Sequence, residues 1–181
     1  ALARLEREIQ ILEAFYSKGD LVTAATRFPK PRSWTADNVT VITAEEIEAM
    51  GAHTVAEVLK YIPGVFISSN QDFGSASLIS IQGSEDRHVL VLLDGIRWNF
   101  LGGGNAETNT IPVGIIDRIE IIKGPASSAW GSSMGGLINI VTKAAGTART
   151  PSGTLRISYG EAGSLDAGAH LSGKAGPIGY Y

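Results

Sequence analysis

Residues 111–143, IPVGIIDRIEIIKGPASSAWGSSMGGLINIVTK, constrain the fold of this chain more than any other stretch. Two runs with strong β-propensity, residues 118–122 and 137–142, lie on either side of a connector rich in glycine, serine and alanine. The connector has no side chain with obvious chemistry, so we expect a shaped structural part and not an active site. Tight turns are predicted at its glycines, which are Gly124, Gly131, Gly135 and Gly136.

The composition of the 181-residue chain excludes several classes of protein. A net charge of −3 argues against a nucleic-acid-binding surface, and no Lys/Arg cluster contradicts that. No run approaches the roughly 18 apolar residues of a membrane-spanning helix. The absence of cysteine excludes disulfide bonds and thiolate metal sites.

Three helices are predicted. Apolar residues at spacings of three and four indicate an amphipathic helix over residues 2–16, followed by an extended, poorly core-forming lead-in over residues 20–37. Residues 43–46 (TAEE) and 54–57 (TVAE) have the pattern of a capping box, which starts a helix. Pro63 and Gly64 end the second of these helices.

Strands and two long loops fill the rest of the first 143 residues. Residues 69–77 form a polar loop around one phenylalanine, and residues 99–110 form a loop with three consecutive glycines. Loops of this length are usually functional or disordered. The predicted strands are residues 39–42, 65–68, 78–81, 89–93 and 96–98.

The pattern changes after residue 143. Residues 154–159 and 165–171 alternate apolar or small residues with polar ones, as membrane-barrel strands do. Two strands cannot close a barrel, so we expect the chain to be part of a longer protein.

Catalytic chemistry is not predicted. Residues 131–135 match the G-x-S-x-G pattern, but Ser133 is followed by a predicted strand, whereas a nucleophile elbow requires a helix there. The histidines are far apart and lack metal-ligand spacing: His53, His88 and His170. On a strand Arg118 and Glu120 share one face and Asp117 the other, which favours a structural ion pair.

Three motifs, in this order, resemble the plug domain of TonB-dependent outer-membrane receptors. They are residues 54–65 (TVAEVLKYIPGV), 88–99 (HVLVLLDGIRWN) and 111–143. The resemblance runs from about residue 20 to residue 143. It implies an α+β fold, a small mixed β-sheet plug domain with short helices and long loops, followed by the first strands of a transmembrane β-barrel. The implied domains are an N-terminal helix and arm (1–37), the plug (38–146) and the beginning of the barrel (153–181).

The resemblance also implies a function. The plug would lie in the lumen of a barrel of about 22 strands in the bacterial outer membrane, with its N-terminus in the periplasm. TonB, with ExbB and ExbD, would pull on that end while a scarce nutrient is imported. The TonB box of the family corresponds to Asp20, Leu21, Val22, Thr23 and Ala24. An extended segment of this kind can add as a strand to a partner sheet, although a plain extended arm is the alternative.

The imported ligand is less constrained. Amide and aromatic groups in the two loops suit a large polar, neutral chelate, and no intrinsic cofactor is implied. Cobalamin or a related corrinoid and a ferric siderophore are the two leading candidates, with haem, sugar, metal or peptide as further options. A non-transporting ligand- or protein-binding module of the envelope is the alternative function. The candidate ligand residues are Asn70, Gln71, Phe73, Trp98, Asn99, Phe100 and Asn105.

Contacts between plug and barrel are predicted at Gln82, Arg118, Glu120 and Lys123. Where the family has Ile-Arg-Gly, this chain has Ile-Gln-Gly around Gln82, so one charged contact to barrel glutamates is replaced by a neutral amide. Lys123 precedes Gly-Pro and can supply a second contact, although less bidentately than arginine. Unpaired barrel strands of an isolated piece are expected to favour a swapped oligomer.

Overall fold

A computed structural model gives the fold of the chain. It describes residues 2–17, 20–24, 26–35, 38–69, 76–125, 130–131, 133–146, 149–160 and 163–181. These residues form two compact units, Ala1–Thr142 and Lys143–Tyr181. Within the described ranges, no helix is both long enough and apolar enough to cross a membrane.

The first unit contains three α-helices and nine strands among its described residues, besides short 3-10 turns. The helices are α1 (Leu2–Phe15), α2 (Ala44–Ala49) and α3 (Val55–Lys60). The strands are β1 (Leu21–Val22), β2 (Lys30–Pro31), β3 (Val39–Thr43), β4 (Val65–Ser69), β5 (Ser77–Ile81), β6 (Val89–Leu93), β7 (Ile96–Arg97), β8 (Ile116–Lys123) and β9 (Gly136–Thr142). The predicted short helices and strands are therefore present, with small differences at their ends.

A five-stranded mixed sheet forms the centre of this unit, in the order β3-β8-β9-β6-β7. The two strands predicted within residues 111–143 are β8 and β9, which are antiparallel neighbours, whereas β6 and β9 are parallel. β9 is the middle strand, because it is flanked by β8 and β6. Two smaller antiparallel sheets, β1-β2 and β4-β5, accompany it.

The two helix starts differ in detail. At α2 the capping box is complete: the Thr43 hydroxyl accepts from the backbone N–H of Glu46, whose carboxylate accepts from the N–H of Thr43 at 2.8 Å. At α3 the Thr54 hydroxyl caps in the same way, but the Glu57 carboxylate accepts from the N–H of His53. In the second box the glutamate carboxylate therefore binds the N–H of the residue before the N-cap, and not the N–H of the N-cap residue itself.

The central sheet is covered on both faces. On one face β6, β8 and β9 contribute side chains to a large core shared with α2, α3 and the β4-β5 hairpin. The other face has a smaller core, made of Val22, Ala24, Val39, Leu90, Leu92, Ile122 and Leu137. Val22 and Ala24 are both 0% exposed, so the prediction that the lead-in is poorly core-forming is wrong for its first residues. Their burial follows from the need to cover the second face of an apolar sheet.

The second unit is an antiparallel sheet of β10 (Ser152–Tyr159), β11 (Leu165–Ala175) and β12 (Ile178–Tyr180). Leu155 pairs with Ala169 and Ile157 with Ala167, so apolar and small side chains share one face of the β10-β11 pair. The large apolar side chains of this face, Leu155, Ile157, Tyr159, Leu165 and Leu171, are exposed. The alternation predicted for both segments is present.

Candidate functional site

The segment predicted to bind TonB (the TonB segment, residues 20–24) is held on the central sheet by one carboxylate. Glu120, in β8, is 0% exposed. Its Oε2 accepts hydrogen bonds from the backbone N–H of Thr23 at 2.9 Å and of Ala24 at 2.6 Å. The Thr23 hydroxyl lies 3.1 Å from Oε2 and 3.2 Å from Oε1. Two consecutive backbone donors of the TonB segment thus converge on one acceptor.

Two further side chains fix this carboxylate. Arg118 Nε donates to Glu120 Oε1 at 2.8 Å. Asn139 Nδ2 lies 3.3 Å from Glu120 Oε2 and donates to the Thr23 hydroxyl at 3.0 Å. Glu120 and Asn139 are direct partners across β8 and β9, which places their side chains next to each other on one face. A buried charge requires such pairing and hydrogen bonding.

Trp130 binds the C-terminal end of the TonB segment. Its indole Nε1 donates to the carbonyl oxygen of Ala24 at 2.6 Å, and its ring packs against the smaller core. The guanidinium carbon of Arg27 lies 4.5 Å from the centroid of the indole ring, a cation–π geometry. Trp130 therefore connects the glycine-rich connector to the arm.

The beginning of the TonB segment is also anchored. Leu21 and Val22 form β1, which pairs with Lys30 and Pro31 in β2. The carbonyl oxygen of Asp20 accepts from the N–H of Arg32 at 2.7 Å. The whole segment is consequently docked, and only Asp20 is exposed while Thr23 is half-buried.

The charged residues of β8 differ from their predicted arrangement. Arg118 contacts Glu120 as predicted, but its Nη1 also lies 3.1 Å from Asp117 Oδ2. A register shift between Ile116 and Arg118 accounts for this, because a bulge disturbs the strict alternation of side chains. The placement of Asp117 on the opposite face is therefore wrong.

The four predicted plug–barrel residues separate into two pairs. Arg118 and Glu120 belong to the buried network described above. Gln82 and Lys123 lie elsewhere: their aliphatic carbons are 3.8 Å and 4.0 Å from the position that a Cβ on Gly64 would occupy. Gln82 is exposed in a turn with φ of 51°, and Lys123 is half-buried, so this second pair faces the surface.

The predicted ligand residues of the second loop (the apical loop, residues 99–110) have different environments. Phe100 and the neighbouring Leu101 are 54% and 95% exposed. The Trp98 ring is partly exposed while its Nε1 donates to the carbonyl oxygen of Glu107 at 2.9 Å. Asn105 is half-buried, and its backbone carbonyl accepts from the N–H of Phe100.

The prediction that Asn99 contacts the ligand is wrong. It is 7% exposed, and its Oδ1 accepts from the N–H of Val91 at 2.8 Å. Its Nδ2 donates to the carbonyl oxygens of Val89 and Gly104 at 2.9 Å and 2.7 Å. Because these bonds tie the apical loop to β6, Asn99 has a structural role and does not present its amide to a ligand. The other predicted ligand residues, Asn70, Gln71 and Phe73, lie outside the described residues.

Sequence reasoning missed Asn139, Trp130 and Arg27. Asn139 interrupts the apolar run LINIV as Glu120 interrupts IEII. Because a polar side chain inside a buried strand needs a partner, these interruptions were the available signal. No signal in the sequence pointed to Trp130 or Arg27.

The serine of the G-x-S-x-G match lies shortly before a strand. Ser133 is 3% exposed and β9 begins at Gly136, whereas a nucleophile elbow leads into a helix. In the described part of the chain, no three His, Cys, Asp or Glu side chains are grouped so that they could hold a metal ion.

Comparisons with known proteins agree with this architecture. The family model described as TonB-dependent Receptor Plug Domain matches residues 31–137. The solved pyoverdine outer membrane receptor of Pseudomonas aeruginosa has a TM-score of 0.73 at 22% identity, over 88% of this chain and 23% of the receptor. The alcaligin outer membrane receptor of Bordetella pertussis has a TM-score of 0.69 at 21% identity, over 84% of this chain and 26% of the receptor. The ferric yersiniabactin uptake receptor of Yersinia pestis has a TM-score of 0.64 at 23% identity, over 87% of this chain and 24% of the receptor.

The family match covers more than half of the chain, and the solved structures share its fold. The chain belongs to the TonB-dependent receptor plug domain family. The predicted family and the α+β fold are thereby confirmed. The pyoverdine and alcaligin receptors that share the fold are named as outer membrane receptors. The chain spans about a quarter of the length of the three solved receptors.

Proposed function

We propose that this chain is the gate of a TonB-dependent receptor that imports a ferric siderophore. In this proposal the plug closes the barrel until TonB, energised with ExbB and ExbD, pulls on the TonB segment. The observation that carries it is the docking of that segment on β8 and β9 through Glu120 and Asn139. A pull on the segment would act directly on the middle of the central sheet.

The cargo is inferred from two sources. The solved receptors that share this fold are named for pyoverdine, alcaligin and yersiniabactin. On this chain, the exposed Phe100 and Leu101 and the partly exposed Trp98 offer apolar and aromatic surface to a large chelate. A corrinoid is the second candidate, because residues 88–99 resemble the corresponding stretch of cobalamin receptors as well.

The second unit supports a barrel beginning at about residue 153. Its β10-β11 pair has one apolar, exposed face and one polar face, as barrel strands have between lipid and lumen. The predicted contacts of Gln82 and Lys123 with the inner wall would be made from the surface of the plug. An isolated piece would leave strand edges unpaired, so a swapped oligomer of that piece remains a prediction.

The test of the TonB segment is Val22→Pro in the intact receptor. Proline removes a backbone donor and cannot join a strand ladder in register. We expect cells with this variant to bind the siderophore at wild-type affinity but to lose its uptake. Ser33→Ala, in the same arm but within the short 3-10 turn Arg32–Trp34, leaves the backbone donors in place and is the control, which should import normally. Normal uptake by the Val22→Pro receptor would show that TonB binds elsewhere.

The cargo is tested separately. Outer membranes that contain the receptor are titrated with ferric siderophores of different chemical classes and, in a parallel arm, with cyanocobalamin. We expect saturable binding of a ferric siderophore, and we expect that cyanocobalamin does not compete for it. Saturable binding of cyanocobalamin alone would replace the siderophore with the second candidate.

A further inference from the structure

We propose that Glu120 is a clamp that keeps the TonB segment out of reach of TonB until its hydrogen bonds break. The inference rests on the proposed function, because it assumes that residues 20–24 are the segment TonB binds. It assigns to Glu120 a positioning role inside the plug, in place of the predicted contact with the barrel wall. Asn139 and Trp130 act with it.

The plug already binds the backbone groups of the TonB segment that a partner strand requires. Strand addition uses the N–H and C=O groups of the added segment. At Thr23 and Ala24 both N–H groups are bound to Glu120, and the C=O of Ala24 is bound to Trp130. Three of the four backbone groups of these two residues are therefore occupied by side chains of the plug. A partner sheet can pair with them only after they leave.

Apolar side chains of the segment are buried as well. Val22 and Ala24 are 0% exposed and belong to the smaller core with Leu90, Leu92 and Leu137. The apolar side chains that would give a partner specificity are thus hidden together with the backbone. Backbone and side chains are released in one event, because Ala24 takes part in both sets of contacts and Val22 directly precedes the bound N–H of Thr23.

The clamp is itself held by other side chains of the sheet. Arg118 and Asn139 hold the Glu120 carboxylate from within the sheet, independently of the segment. The acceptor is therefore fixed in position before the segment docks, and hydrogen bonds from neutral donors to a charged acceptor are stronger than neutral pairs. Both oxygens of the carboxylate face donors, Arg118 Nε at Oε1 and the N–H groups of the segment at Oε2. A neutral amide of the same shape has only one oxygen, so its N–H₂ group would stand against a donor in either orientation.

The experiment compares Glu120→Gln with wild type in the receptor embedded in outer-membrane vesicles. Two quantities are measured: backbone amide exchange at Thr23 and Ala24, and affinity for the isolated periplasmic domain of TonB without ligand. Because a hydrogen bond to a charged group contributes more than a neutral one, we expect about tenfold or greater acceleration of exchange and a similar gain in TonB affinity. Glu107→Gln is the matched control, since Glu107 also accepts a backbone N–H, that of Ser77 at 3.1 Å.

A second variant covers the case in which Glu120→Gln disturbs the core. Trp130→Phe keeps the aromatic ring but removes the bond to the carbonyl of Ala24, and we expect it to raise both quantities several-fold. Unchanged exchange in Glu120→Gln would overturn the clamp. Faster exchange with unchanged TonB affinity would also overturn it, provided that Val22→Pro abolishes TonB binding. If Val22→Pro binds TonB normally, the segment assignment fails instead.

Discussion

Gly136 gives the sharpest test of how the glycine-rich connector enters the sheet. It is the first residue of β9 and has φ of +149°, a conformation that side chains rarely adopt. A Cβ at this position would stand 2.6 Å from the carbonyl oxygen of Ile122 and 2.8 Å from Ile81 Cδ1. Ile122 cannot move away easily, because it is paired with Val39 on one side and Leu137 on the other.

These contacts set the expected effect of Gly136→Ala. The unfavourable conformation costs about 1–2 kcal/mol, and the close approach to a fixed backbone carbonyl adds about 2 kcal/mol of overpacking. Gly124→Ala, at the other end of the same connector, isolates the first contribution. Gly124 also has positive φ, +112°, but a Cβ there would meet no atom within 4 Å. The difference between the two variants should therefore be about 2 kcal/mol, or about 4–8 °C in Tm for a unit of this size.

Urea unfolding followed by tryptophan fluorescence measures this difference. Trp34, Trp98 and Trp130 all lie in the first unit, so the signal reports that unit alone. We expect Gly136→Ala to lower the urea midpoint clearly more than Gly124→Ala. Equal midpoints would refute the close-approach argument and leave backbone conformation as the whole effect.

Two smaller predictions test the apical loop and the helix starts. Asn99→Ala leaves the N–H of Val91 and the C=O of Val89 without their bonds, so we expect a loss of about 3 kcal/mol in the free energy of unfolding, against under about 1 kcal/mol for Asn105→Ala. Equal losses would contradict the structural role of Asn99. Thr43→Ala removes the cap of α2 and should cost about 1 kcal/mol in the same assay, whereas Thr43→Ser should retain most of the stability.

Most of the fold could be predicted from local patterns. The capping signal at Thr43, the apolar stripe of α3 and the runs of β6, β8 and β9 each predict one element, since short-range periodicity is a local property. The order of strands in the sheet is not local. The continuous apolar run of residues 89–93 indicates an interior strand, and β6 does lie between β9 and the two-residue β7. No local pattern indicates that β9 is the middle strand of the sheet.

The site was predicted less completely, for a physical reason. The position of the TonB segment came from resemblance, which carries no information on what the segment contacts. Its partners Glu120 and Asn139 follow it by 96 to 116 residues. Contacts at such separation depend on register, and the register of β8 includes a bulge at Ile116 and Arg118 that the alternation of residues did not reveal.

The apolar pattern of the sheet nevertheless contains an argument for the docked arm. Successive residues of β6 face opposite sides, so the run VLVLL presents Val89 and Val91 to one face and Leu90 and Leu92 to the other. A strand that is apolar on both sides needs two covers. The helices α2 and α3 and the β4-β5 hairpin cover one face. The extended segment LVTA, with its small and β-branched residues, is suited to cover the other.

The same segment that covers the second face is the one proposed to bind TonB, so removal of the segment would expose Leu90, Leu92 and the carboxylate that held it. Opening of the plug would therefore begin with loss of a core, and the glycine-rich connector matters because Trp130, within it, is part of that cover.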